Sequence, residues 1–217
     1  SPSVTGCAPT RNEAMLSCAI DLSRRTLIAA LVAATLPLLG VPRAFAEPPG
    51  PVGAAAWQLG DRLSLAAFLY AQGGQDAAVE QLLASIKPIA ETMGVAIAPF
   101  PPRAAASVDT YGEVILYLVE GAGAETGRTL AAKFGKDAGL LYDAAVKSNL
   151  LLLLYEPGDD HGLGDVIRSR MSETGVPDEL WTGVIEAIDG KVPQSELKDA
   201  VLKMHEAVTS YLGGTGN

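Results

Sequence analysis

Apolar residues recur along most of this chain at the three- and four-residue steps of an α-helix. Leu59, Leu63, Ala66 and Tyr70 fall on one face of a first helix, which Gly73-Gly74 should close with a left-handed cap. A second helix is predicted from Gln75 to Met93, with Val79, Leu82, Leu83, Ile86, Ile89 and Met93 turned inward and a kink at Pro88; Gly94 ends it. Residues 95–106 then contain Pro99, Pro101 and Pro102, a composition that predicts an extended, partly polyproline linker.

A third helix should begin near Ser107 or Thr110, where Thr110-x-x-Glu113 has capping-box spacing, and run to Glu120. A fourth is predicted from Ala124 to Phe134. The fifth, from Asp137 through Leu150 to Tyr155, is so apolar that it should be the most buried element, with Pro157-Gly158 as its stop. A sixth spans Leu163 to Glu173, and a seventh starts at Pro177 and carries Leu180, Trp181, Val184, Ile185 and Ile188. The last, after Pro193, shows Leu197, Val201, Met204, Val208 and Tyr211 before a flexible end at Gly213–Asn217. The expectation is an all-α chain: a compact bundle of about seven or eight helices arranged as stacked helical hairpins. Tyr70, Tyr117 and Tyr155 each end an apolar helix shortly before a glycine, an echo compatible with duplicated hairpins or with ordinary helix ends.

The first fifty residues follow a different pattern. Leu27 to Val41 is an apolar run that would measure about 22 Å as a helix, short of the roughly 30 Å hydrocarbon core of a bilayer. Ser23, Arg24 and Arg25 precede it, and Arg43-Ala44-Phe45-Ala46 follows. The block resembles a twin-arginine (Tat) signal peptide, with Ala44 and Ala46 in the small-residue cleavage positions and Glu47 as the first mature residue. That resemblance implies the Tat export machinery as a partner, a periplasmic or secreted destination and no permanent membrane anchor. Met15 stands where an initiator usually lies relative to such a motif, so residues 1–14 read as an extension. Leu16-Ser17-Cys18 has no apolar run before it, so lipidation is not expected. The organisation is therefore 1–46 as extension and signal, and 47–217 as one helical domain with its linker at 95–106.

Charge and cysteine content narrow the chemistry. Both cysteines, Cys7 and Cys18, precede the cleavage point, so disulfides, thiolate metal sites and covalent haem are excluded from residues 47–217. That portion carries 12 Lys and Arg against 23 Asp and Glu, a net charge of −11. Such a balance argues against nucleic acid and against anionic membrane surfaces.

Candidate sites are few. Glu156, Asp159, Asp160 and His161 crowd into one turn whose oxygens and imidazole have the donor types for a divalent or transition metal, although Pro157-Gly158-Asp159 is also an ordinary hairpin turn. His205 flanks the apolar stripe of the last helix; a half-exposed surface histidine is the favoured reading, with non-covalent haem ligation alongside Met93 or Met171 as the alternative. The glycines of Gly121-Ala122-Gly123-Ala124-Glu125-Thr126-Gly127 miss both nucleotide-loop spacings, so a helix-helix turn is expected there. No Ser-His-Asp motif, metalloprotease helix or carboxylate pair is recognisable. The expectation is a non-catalytic binding or accessory protein without a cofactor, its partner a protein or a small molecule met in an inter-hairpin groove or through Phe100-Pro101-Pro102; a metal- or haem-binding protein is the alternative.

Overall fold

The computed structural model describes residues 50–105, 107–155, 162–190 and 193–214, and no strand occurs among the described residues. In chain order α1 is Pro51–Gln72, α2 Asp76–Met93, α3 Ser107–Val119, α4 Ala122–Phe134, α5 Lys136–Leu154, α6 Leu163–Thr174, α7 Thr182–Ile188 and α8 Leu197–Gly214; single 3-10 turns lie at Asp178–Leu180 and Gln194–Glu196.

Helices α1 and α5 form the centre. The most extensive helix-helix contact in the described residues is between these two, and each also packs against α8. Their sequences explain the position. On α1, Ala56, Trp57, Leu59, Leu63, Ala66 and Ala67 are all fully buried, a set too wide for one face, so the helix is covered on several sides. On α5 the buried set runs from Ala138 to Leu154 and includes Lys147, Ser148 and Asn149. Close approach depends on Gly60, because a Cβ there would lie 2.5 Å from the Tyr142 carbonyl oxygen. By contrast α2 buries only Val79, Ile86, Ala90 and Met93 and lies against α1 as an outer helix.

Local chemistry sets most boundaries where the sequence predicts them. Gly73 and Gly94 take positive φ at the ends of α1 and α2, and Gly94 accepts the left-handed cap that a side chain would resist. Pro88 sits inside α2 on its exposed side, and the helix continues through it to Met93. Three expectations are corrected. Thr110 lies in the first turns of α3 rather than at its cap; its Oγ1 accepts a hydrogen bond from the Ala104 N–H at 3.0 Å and so ties the linker down. The seventh helix does not start at Pro177: a 3-10 turn precedes it, and Trp181, with φ −125°, breaks the backbone before Thr182 while its ring enters the core. The last helix includes Gly213 and Gly214, which the sequence assigns to a flexible end, and Leu212 just before them is buried.

Candidate functional site

The polar groups with the most chemistry in the described residues meet where α1, α5 and α8 converge. Ser148 is fully buried and His205 is 5% exposed, which corrects the expectation of a surface histidine. His205 Nε2 lies 2.6 Å from Ser148 Oγ, and Nδ1 lies 2.9 Å from Asp61 Oδ1. The Nδ1–H is not lined up with that oxygen, so the contact is electrostatic rather than a linear hydrogen bond. Trp57 covers the imidazole, ring centroids 5.0 Å apart and tilted by 39°.

Asn149 completes the network from the same turn of α5. Its Nδ2 donates to Asp61 Oδ1 at 3.0 Å, to the Asp61 carbonyl at 3.1 Å and to Ser64 Oγ at 2.9 Å, while Ser64 Oγ donates to the Gly60 carbonyl at 2.7 Å. Two residues earlier, Lys147 Nζ turns the other way and donates to Asp143 Oδ2 at 2.8 Å; Arg170 of α6 approaches the same oxygen at 3.1 Å. Three consecutive polar side chains in the most buried helix are thus satisfied in three directions. Burial alone would raise the Asp61 carboxyl, but the close approach of the His205 imidazole, with smaller contributions from Asn149 and Arg62, holds it below the usual carboxylate range. An ionised carboxylate only accepts, so His205 carries a proton on Nδ1.

Serine, imidazole and carboxylate in this order are the components of a nucleophilic triad. Their setting is not one. Ser148 Oγ also lies 2.9 Å from the Ala145 carbonyl, within its own helix, and neither the groove beside the linker nor the one between α7 and α8 has it in its lining. A nucleophile needs room for a carbonyl carbon and for donors facing the developing oxyanion. Here the trio fastens three helices. A haem iron at His205 would have to displace the Ser148 contact at Nε2.

The second organised region is the linker between α2 and α3. Phe100 is held between Tyr70 and Tyr117, with centroid distances of 5.1 and 5.5 Å, the latter pair edge-to-face. Tyr70 Oη donates to the Pro101 carbonyl at 2.7 Å and Tyr117 Oη to the Ala98 carbonyl at 2.9 Å. The Arg103 guanidinium stacks 4.4 Å over the Tyr70 ring and pairs with Asp76. Two of the three echoing tyrosines therefore serve as clasps on the linker, and Phe100, half-buried between them, also lines the adjoining groove. Beside the clasp, a groove of about 400 Å³ opens between α2 and residues 95–100, with Leu83, Ile86, Val95 and Ile97 in its walls and Lys87 and Glu91 at its edge.

The glycine-rich segment makes its helix-helix turn at Gly121, while Gly123 and Gly127 lie inside α4 rather than in the expected turn and form a contact with α5. Tyr142 Oη donates to the Gly123 carbonyl at 2.7 Å, and a Cβ on Gly127 would meet the Tyr142 ring at 2.8 Å. Those glycines let α4 press against α5. The turn residues Glu156, Asp159, Asp160 and His161 lie outside the described residues, as do Ser23, Arg24, Arg25, Ala44 and Ala46. Among the described residues no group of three or more His, Cys, Asp or Glu side chains is placed to hold a metal ion, and no helix is long and apolar enough to cross a membrane.

No family model matches the chain, and neither curated proteins nor solved structures match it.

Proposed function

We propose that the chain is exported by the twin-arginine route and acts outside the inner membrane as a non-catalytic binding protein, its hairpins stacked around one core. The observation that carries the non-catalytic reading is the burial of Ser148 and His205: the side chains best suited to chemistry are consumed in joining α1, α5 and α8. What the surface offers instead is concavity. The groove between α2 and the linker has the size and apolar walls of a small-ligand site, and its linker wall is fixed by the Tyr70–Phe100–Tyr117 stack, so little ordering is needed on binding. A compact apolar ligand fits these walls.

Export is supported by Ser23-Arg24-Arg25 with its apolar run and Ala44-x-Ala46. Expression of the full chain in a bacterium with and without a working Tat system tests it. Processed protein beginning at Glu47 should be recovered outside the inner membrane only when the system works, and the pair Arg24→Lys, Arg25→Lys should retain it inside. Binding is tested with the fluorescent probe anilinonaphthalene sulfonate on the processed protein. Ile97→Glu, which places a charge in the groove wall, should abolish the signal without changing the helical circular dichroism; unchanged binding would refute the site. A second reading, metal binding, is favoured by the donor set of Glu156, Asp159, Asp160 and His161. Elemental analysis showing a stoichiometric metal that disappears on His161→Ala would establish it.

A further inference from the structure

A second groove, of about 600 Å³, lies on the other side of the molecule's sequence, between the 3-10 turn with α7 and the start of α8. Leu180, Ala200 and Ala207, each partly exposed, give it an apolar floor above the buried Val184 and Met204. Its rim is acidic. Glu179 and Glu186 stand on one wall, Glu196 and Asp199 on the other, with Lys203 as the single cation lining it among the described residues. All four carboxylates are exposed, and none has an ion-pair partner among the described residues. Carboxylates alone would be an ordinary solvated face; here they border a concavity whose floor is hydrocarbon.

From this we infer that the α7–α8 groove binds a lipophilic di- or polyamine: an organic cation whose apolar body lies on Leu180, Ala200 and Ala207 while its ammonium groups reach the carboxylates on the two walls. The volume lies within the range of small-ligand sites. A bare divalent cation does not fit, because no three carboxylates among the described residues converge on one point. A long peptide helix is disfavoured by the wall itself, since α7 has seven residues and spans about 10 Å. Gly183 gives the groove a low wall, with nothing within 4 Å of where its Cβ would be.

That glycine makes the test clean. Gly183→Leu meets open space, so the helix is retained and the groove is filled. Titration calorimetry of the full chain would use diaminodecane as probe, with decanoate as the anionic counterpart and spermidine as a polyamine without a hydrocarbon body. Diaminodecane should bind and weaken with added salt, decanoate should not bind, and spermidine should bind more weakly than the diamine. Each exposed ion pair contributes up to about a factor of five, so Glu186→Gln combined with Asp199→Asn should weaken the diamine by about tenfold and flatten its salt dependence. Gly183→Leu should remove binding while helical content is unchanged. Decanoate binding as well as the diamine, or diamine binding that ignores Gly183→Leu, would overturn the assignment; so would a basic amphipathic peptide that outcompetes the diamine here, which would make the partner a protein. None of these variants touches the α2–linker groove, so the two sites fail or stand separately.

Discussion

Replacing Asp61 by Asn leaves an oxygen where His205 and Asn149 both approach, since both contacts are made to Oδ1. The charge is removed while the shape is kept. Charge-assisted hydrogen bonds contribute about 1.5–3 kcal/mol and neutral ones about 0.5–1.5, and the Asp61 side chain is only 26% exposed, so screening is partial. Asp61→Asn should therefore cost about 1 kcal/mol, whereas Asp61→Ala, which strips the Asn149 hydrogen bond and leaves the buried His205 Nδ1 without its neighbouring carboxylate, should cost about 2–3 kcal/mol. For a chain of this size about 2–4 °C of melting temperature corresponds to each kcal/mol. The sign of the pH dependence follows from the depressed carboxyl: the unfolded state takes up the proton first as pH falls. The stability difference between the parent and Asp61→Asn should be fully present above about pH 5, since the unfolded carboxyl titrates near 3.9. It should disappear as pH drops through the lower folded value. Thermal melts followed by circular dichroism between about pH 2.5 and 7 measure it. An Asp61→Asn variant that melts with the parent at neutral pH, or a gap that persists unchanged in acid, would refute the fastener role.

Other perturbations separate packing from polarity. Ser148→Ala leaves His205 Nε2 buried without its partner and should destabilise by about 1–2 kcal/mol in urea unfolding. Gly112→Ala, within α3 and with nothing near its Cβ, should stabilise by about 0.5–1 kcal/mol; Gly127→Ala, which meets the Tyr142 ring at 2.8 Å, should instead destabilise by about 1–2 kcal/mol in the same assay. Phe100→Ala empties the space between Tyr70 and Tyr117 and should open residues 96–103 to limited proteolysis at least tenfold faster, an estimate from about 2 kcal/mol of lost packing.

Helix positions were legible in the sequence wherever periodicity and glycine agreed. The face of α1 through Leu63 and Ala66, the stops at Gly73 and Gly94 and the proline-rich linker all follow from short-range chemistry. α7 was less so, because a proline at a first turn does not distinguish a 3-10 turn from an α-helix when a tryptophan must be buried four residues later. The meeting of Asp61, Ser148 and His205 was not legible, since three separate helices supply them and no spacing rule relates such positions. Two signals did exist. Val201 and Val208 lie four residues before and three after His205, which places the imidazole inside the buried stripe of α8 rather than beside it. Lys147-Ser148-Asn149 interrupt the most apolar helix, and polar groups carried into a core must find partners there.

The fastener also has an order of assembly written into it. Ser148 and Asn149 are translated well after Asp61, and His205 arrives 57 residues after Ser148. Until α8 emerges, α1 and α5 can dock through their small residues, yet the carboxylate and the hydroxyl at their junction lack the imidazole that lies between them. A nascent chain halted before α8 would thus leave Asp61 and Ser148 without the imidazole and the core open where Leu197, Val201, Met204 and Val208 seat, so polar and apolar closure arrive together with one helix.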